Sequence, residues 1–154
     1  MYLLDINHCS YLLRKESAVY SRAIAIGTEN LAPCVIVQGE LVFMAENSGQ
    51  KQQNLTDVSD FLQYLRIYHI DEDTTMVYGH LKAALMNQFA PKEKSQRRRT
   101  KITDIGFDDN DLWIASIALQ HNFTLVSADS DFQRIQSVCD LSIETWYQPF
   151  TRGS

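Results

Sequence analysis

No stretch of this sequence approaches the roughly 20 consecutive apolar residues that a membrane-spanning helix requires, so no spanning segment and no membrane partner is expected. A secretory leader is not expected either. Asp5 interrupts the opening apolar run and no basic stretch precedes it, which makes a cytoplasmic location the expectation. Cysteine is scarce: Cys9, Cys34 and Cys139 are odd in number, widely spaced and without zinc-ligand spacing, and they read as reduced core thiols. Proline and glycine number only 3 and 6, and no Pro/Gly-rich linker, repeat or low-complexity segment divides the chain. The glycines form neither a Walker nor a dinucleotide-binding motif, and no nucleophile elbow surrounds a serine or cysteine. His8, His69, His80 and His121 share no spacing that would suggest a common ligand.

What remains is an ordinary globular chain of 154 residues, 45% hydrophobic and 21% charged. That length supports one domain with a sizeable core, expected over residues 1–148. Residues 149–154 read as a frayed tail, with Arg152-Gly153-Ser154 open to being an appended remnant. The net charge of −5 argues at first against a nucleic-acid partner, but its distribution does not. Lys92, Lys94, Arg97, Arg98, Arg99 and Lys101 crowd one segment that holds a single acid, Glu93. Such a segment is either a solvated mobile loop or a local positive potential able to hold a polyanion.

Short apolar runs alternate with helical periodicities. Residues 1–4, 34–37, 124–127 and 141–143 read as buried strands, with a further short strand open at 67–70. Helices are expected at 8–14, at 16–26 ending on Gly27, at 38–47 and at 54–68. In the last of these, Val58, Phe61, Leu62 and Leu65 follow the i, i+3, i+4, i+7 pattern. Asp73 or Thr74 can cap a helix carrying Val77, Leu81, Ala84 and Leu85. Residues 110–121 form a helix with Ile114, Ile117, Ala118 and His121 inward, 132–135 a helical turn, and 90–108 a loop. Alternating strands and helices predict a three-layer α/β/α sandwich around a mainly parallel sheet, whose right-handed crossovers bring the strand exits to one edge.

Acids stand where the apolar runs stop. Asp5 follows Leu4, Glu40 follows the 34–37 run through Gln38 and Gly39, Asp111 opens the 110–121 helix, and Asp129 follows the 124–127 run. Each has an alternative reading: Asp5 as a helix cap, Glu40 as a first-turn acid favoured by the helix dipole, Asp111 as one of several acids at a helix start, and Asp129 with Asp131 as turn residues. Together they suggest a metal pocket, because converging carboxylates raise one another's pKa and call for a hard divalent cation, Mg²⁺ or Mn²⁺. Asn7 would then bond a ligand or a metal-bound water, Asp131 would be an auxiliary acid, and Ser127 a turn or cap residue.

The segments that carry these acids resemble the PIN domain family, and within it the VapC-type toxin ribonucleases of toxin–antitoxin pairs. Leu4-Asp5-Ile6-Asn7 resembles the family's aspartate-threonine-asparagine start. Gly39-Glu40-Leu41 falls where the family places its second acid, and Asp71 to Lys82 is similar to its central helix. Asn110-Asp111-Leu112-Trp113-Ile114-Ala115 is very close to its third acidic motif, and Leu125 to Phe132 to its fourth. Two departures stand out: Ile6 replaces the threonine, removing a hydroxyl, and Ser127 replaces a threonine while keeping one. The basic segment is also longer than the family's usual connection.

The resemblance implies a metal-dependent endoribonuclease in which Asp5, Glu40, Asp111 and Asp129 hold Mg²⁺ or Mn²⁺. It also implies tRNA or another structured RNA as substrate, a cognate antitoxin protein and a homodimer. Lys92, Lys94, Arg97, Arg98, Arg99 and Lys101 are candidate phosphate contacts, with the antitoxin as their alternative partner. Two other readings remain at this point. One is a non-catalytic PIN-like interaction domain. The other is a receiver-type phosphoacceptor module, disfavoured because one acid rather than a pair follows the first strand and no lysine follows the 124–127 run.

Overall fold

A computed structural model describes residues 1–147, so the expected tail 149–154 lies outside the described residues. Four parallel strands form one sheet in the order β2-β1-β3-β4: β1 Tyr2–Leu4, β2 Leu31–Ala32, β3 Thr124–Val126 and β4 Ser142–Glu144. Tyr2 pairs with Leu31 and with Thr124, and Thr124 with Ser142, so the strands end in register. Among the described residues eight α-helices flank the sheet: α1 Ile6–Leu13, α2 Ser17–Ile26, α3 Val35–Glu46, α4 Lys51–Leu62, α5 Glu72–Phe89, α6 Lys94–Arg99, α7 Asp109–His121 and α8 Ser130–Gln136. The α/β/α sandwich expected from the alternation is the architecture observed.

The sheet is short but central. Leu3, Leu4, Ala32, Leu125 and Val126 are wholly buried, and α7 contributes Leu112, Ile114, Ala115, Ile117 and Ala118 to the same core. Ala115 and Ala118 carry no bulk beyond Cβ, which suits a helix packed close to the sheet. Side chains such as Leu112 and Ile117 each contribute about 1.5–3 kcal/mol by leaving water.

The run 34–37 is not a strand. The second strand is Leu31–Ala32, and Val35, Ile36 and Val37 form the first turn of α3. Pro33 offers no N–H to a continuing ladder. Cys34 stays extended and bridges Tyr68, with Val35 N–H donating to the Tyr68 carbonyl at 2.8 Å. Val37, Leu41 and Ala45 then fall on one buried helix face, and that packing overrides the β propensity of the valines and isoleucine.

Other boundaries move for identifiable reasons. Asp71, rather than Asp73 or Thr74, caps α5, accepting from the Thr74 N–H while Thr74 Oγ1 accepts from the Asp71 N–H in a reciprocal capping box. The fourth helix spans Lys51–Leu62, so the stretch to residue 68 lies outside it and Tyr68 forms only the isolated bridge to Cys34. Residues 90–108 are not a featureless loop, because they hold α6 and a 3₁₀ turn at Ile102–Ile105. Cys9 and Cys34 are buried thiols and Cys139 is half-buried. No helix among the described residues is long and apolar enough to cross a membrane.

Candidate metal centre

The parallel register delivers the acids to one end of the sheet. Asp5 leaves β1, with its N–H donating to the Val126 carbonyl, and caps α1. Its Oδ1 accepts from the His8 N–H at 2.8 Å and lies 2.9 Å from His8 Nδ1, and the residue is only 3% exposed. Asp129 follows β3 and caps α8, accepting from the Asp131 N–H at 2.9 Å. Ser127 is buried there, its Oγ accepting from the Asp129 N–H at 3.0 Å, so its hydroxyl shapes the turn that presents Asp129. Asp111 lies in the first turn of α7, behind the cap Asp108.

Of the four expected ligands, Asp111 and Asp129 meet, joined by Asp131, while Asp5 and Glu40 stand outside that cluster. Asp111, Asp129 and Asp131 each offer a carboxylate oxygen, and those oxygens lie within 4.8 Å of one another. Asp131, expected as an auxiliary, therefore stands in the cluster itself, and it also pairs with Arg134 at 3.4 Å. Burial, followed by the charges of Asp129, Asp108, Glu40 and Asp131, pushes the Asp111 carboxyl up to about 7.

Glu40 reaches the site from α3. Because α3 starts at Val35, Glu40 sits in its second turn rather than its first, so the favourable first-turn dipole does not account for it. Asn110 Nδ2 donates to Glu40 Oε1 at 3.1 Å. Oε2 is buried and has no hydrogen-bond partner among the described residues. Burial raises the Glu40 carboxyl, the Asn110 bond opposes that rise, and Asp108 and Asp5 push it further up. Glu40 thus interacts electrostatically with both Asp5 and Asp111.

An all-oxygen anionic set with an unpartnered buried Glu40 Oε2 fits a hard divalent cation. Beside it, Val35, Ile36, Gly39 and Phe43 line a cavity of about 520 Å³ that also includes Glu40 and Asn110. Asn110 as a partner of Glu40 and His8 as a partner of Asp5 are site residues beyond the expected set. The His8 signal was its place one turn after a strand-end acid, where a cap accepts from the N3 amide.

The remaining candidates lie elsewhere. Asn7 is exposed on α1 and lines a different cavity of about 400 Å³ with Ser10, Arg14, Leu41 and Asn54. Lys92, Lys94, Arg98, Arg99 and Lys101 are exposed. Arg97 is engaged internally: its guanidinium donates to the carbonyls of Met86 and Asn87 and to Asn87 Oδ1, clamping α6 against the end of α5.

The chain resembles known proteins over most of its length. A PIN domain family model matches residues 2–138. Ribonuclease VapC2 of Rickettsia felis is 32% identical over 149 residues, covering 95% of this chain and 98% of that protein. Ribonuclease VapC1 of Haemophilus influenzae is 26% identical over the same shares. The crystal structure of VapBC2 from Rickettsia felis bound to a DNA fragment from their promoter superposes with a TM-score of 0.76 at 28% identity, covering 95% of this chain and 98% of that one. DNA-bound VapBC from Salmonella typhimurium shares the fold at a TM-score of 0.76, 22% identity and the same coverage. With a family match over nearly the whole described chain and a relative at this identity, the chain belongs to the PIN domain family, among the VapC ribonucleases.

Proposed function

We propose that this protein is the toxin of a toxin–antitoxin pair, an endoribonuclease that hydrolyses RNA phosphodiesters with Mg²⁺ or Mn²⁺. The observation that carries the chemistry is the meeting of Asp111, Asp129 and Asp131, with the nearby Glu40 holding a buried Oε2 that has no partner among the described residues. Asp5, Glu40, Asp111 and Asp129 would hold the cation, and Asp131 would join them or orient a ligand. When bound, the cation supplies positive charge to the phosphate and lowers the pKa of the attacking water. Asn110 orients Glu40 and Ser127 orients Asp129. Water oxygen bonds to phosphorus, the bond to O3′ breaks, and the products are a 5′-phosphate and a 3′-hydroxyl. Exposed Lys92, Lys94, Arg98, Arg99 and Lys101 would contact phosphates of a structured RNA such as tRNA.

The cognate antitoxin is the proposed protein partner. VapBC complexes from Rickettsia felis and Salmonella typhimurium are among the structural neighbours. An apolar groove of about 370 Å³ between α1, α2 and α4, lined by Leu12, Tyr20, Ile24, Phe61 and Tyr64, suits an apolar segment of that partner. A homodimer is also proposed, supported by the exposed apolar side chains Val42, Phe43 and Met44 on α3, and sedimentation of the purified chain tests it. The activity is tested by incubating total RNA with the protein and Mg²⁺, with and without EDTA, and mapping new 5′ ends. Sharp EDTA-sensitive ends, absent from Asp5→Asn, are expected. If Asp5→Asn and Asp111→Asn stop growth as well as the parent does, the nuclease reading fails and a binding-only domain replaces it.

A further inference from the structure

His8 is wholly buried in the first turn of α1, and each of its ring nitrogens has one partner. Nδ1 lies 2.9 Å from Asp5 Oδ1, and the backbone N–H of Trp146 points at Nε2 from 3.4 Å. A peptide N–H can only donate, so Nε2 is the acceptor and the ring proton sits on Nδ1, directed at Asp5. The ring is packed edge-on against Tyr11 and Trp146, with centroids 5.6 and 6.3 Å away. Trp146 is itself fixed at the sheet edge. Its neighbour Thr145 donates from Oγ1 to the Ser127 carbonyl at 2.6 Å, and its indole N–H donates to Glu144 Oε2 at 2.9 Å. A chain of contacts therefore runs from the exit of β4 through His8 to the acid at the exit of β1.

The consequence lies at Asp5. Its Oδ1 already receives the His8 N–H and the Nδ1 proton, while among the described residues no protein donor reaches Oδ2. Position 6 is isoleucine and brings no hydroxyl, so the side-chain donor to Asp5 is His8. We propose that His8 is a positioning residue that reserves Asp5 Oδ1 and leaves Oδ2 as the single oxygen Asp5 gives to the divalent cation. This rests on the metal-site reading above. Hydrogen-bond partners of metal ligands fix their orientation, and losing such a partner weakens metal affinity about 10–100-fold.

The test compares Mn²⁺ binding by calorimetry in the parent, Asp5→Asn, His8→Leu and His8→Asn, with metal-free melting curves for each. Asparagine keeps an N–H close to the Nδ1 position and leucine keeps bulk without a donor. The expected result is Mn²⁺ affinity about 10–100-fold weaker in His8→Leu and within about threefold of the parent in His8→Asn. Equal affinity in the parent and a folded His8→Leu overturns the role of His8 and leaves the metal reading standing. No Mn²⁺ binding by the parent overturns the metal reading itself. Nitrogen–proton correlation spectra of the parent's histidine rings need no variant: a protonated Nδ1 and bare Nε2 at His8 support the proposal, and the opposite tautomer overturns it.

Discussion

Asn110 Nδ2 donates to Glu40 Oε1 across 3.1 Å, joining the first turn of α7 to the second turn of α3. This bond holds one Glu40 oxygen and leaves the other buried without a partner among the described residues. Removing it with Asn110→Ala frees the glutamate to rotate. Mn²⁺ affinity is expected to fall about 10–100-fold, as for other lost supports of a metal ligand. Calorimetric titration of the variant checks this, and an unchanged dissociation constant counts against Glu40 as a ligand.

Asp111 links the site to pH. Burial and its acidic neighbours raise its carboxyl to about 7 in the metal-free protein, against about 4 in an unfolded chain. Between those values the folded protein holds a proton that the unfolded chain has released. The stability contributed by this group is full below about 4 and is lost as pH rises through about 7. Asp111→Asn cannot lose it. In EDTA the variant should therefore gain Tm over the parent as pH is raised from 5 to 8, and a gap that stays constant across that range rules out Asp111 as the source. Mn²⁺ binding at pH 6 should release a proton, seen as an enthalpy that changes with buffer.

Much of this was legible in the chain, and what was not had a local cause. Asp5 and Asp129 were readable because each ends an apolar run that is buried on both sides, and the parallel register turns those ends into neighbours. Glu40 lies close enough to Asp111 to raise its carboxyl, but the route expected for it was mistaken. The 34–37 run is β-rich by composition, but Pro33 and the Cys34–Tyr68 bridge turn it into helix, so Glu40 arrives from a helix face and not from a strand exit. The Asn110–Glu40 contact was not legible, since it spans 70 residues; the cap contact of His8 with Asp5 was legible from their spacing, but the backbone N–H of Trp146 on the other ring nitrogen was not. Arg97 looked like its basic neighbours, and only the carbonyls at the end of α5 distinguish it.

That distinction separates two kinds of arginine. Arg97→Ala removes donors from the Met86 and Asn87 carbonyls and should cost about 1.5–3 kcal/mol. For a chain of this length that is about 2–4 °C of Tm per kcal/mol. Arg98→Ala and Arg99→Ala, both exposed, should leave Tm unchanged and each lower the slope of log affinity for single-stranded RNA against log salt by about 0.7. Filter binding at several salt concentrations in EDTA, with the Asp111→Asn protein expected to be catalytically silent, measures this, and identical slopes would remove the basic segment from the RNA interface.

The groove formed by Tyr20, Ile24, Phe61 and Tyr64 leads to the last prediction. Ile24 is 64% exposed and Tyr64 77%, and neither lies among the acids, so substitution there should spare the chemistry. An antitoxin segment seated on this surface would bury whatever stands at position 24 or 64. A carboxylate buried without a partner costs several kcal/mol, so Ile24→Glu or Tyr64→Glu should weaken antitoxin binding at least about 100-fold. In cells the variants should stop growth as the parent does when expressed alone, and should continue to do so when the antitoxin is co-expressed. Rescue of both variants by the antitoxin at parental levels would place its binding surface elsewhere on the molecule.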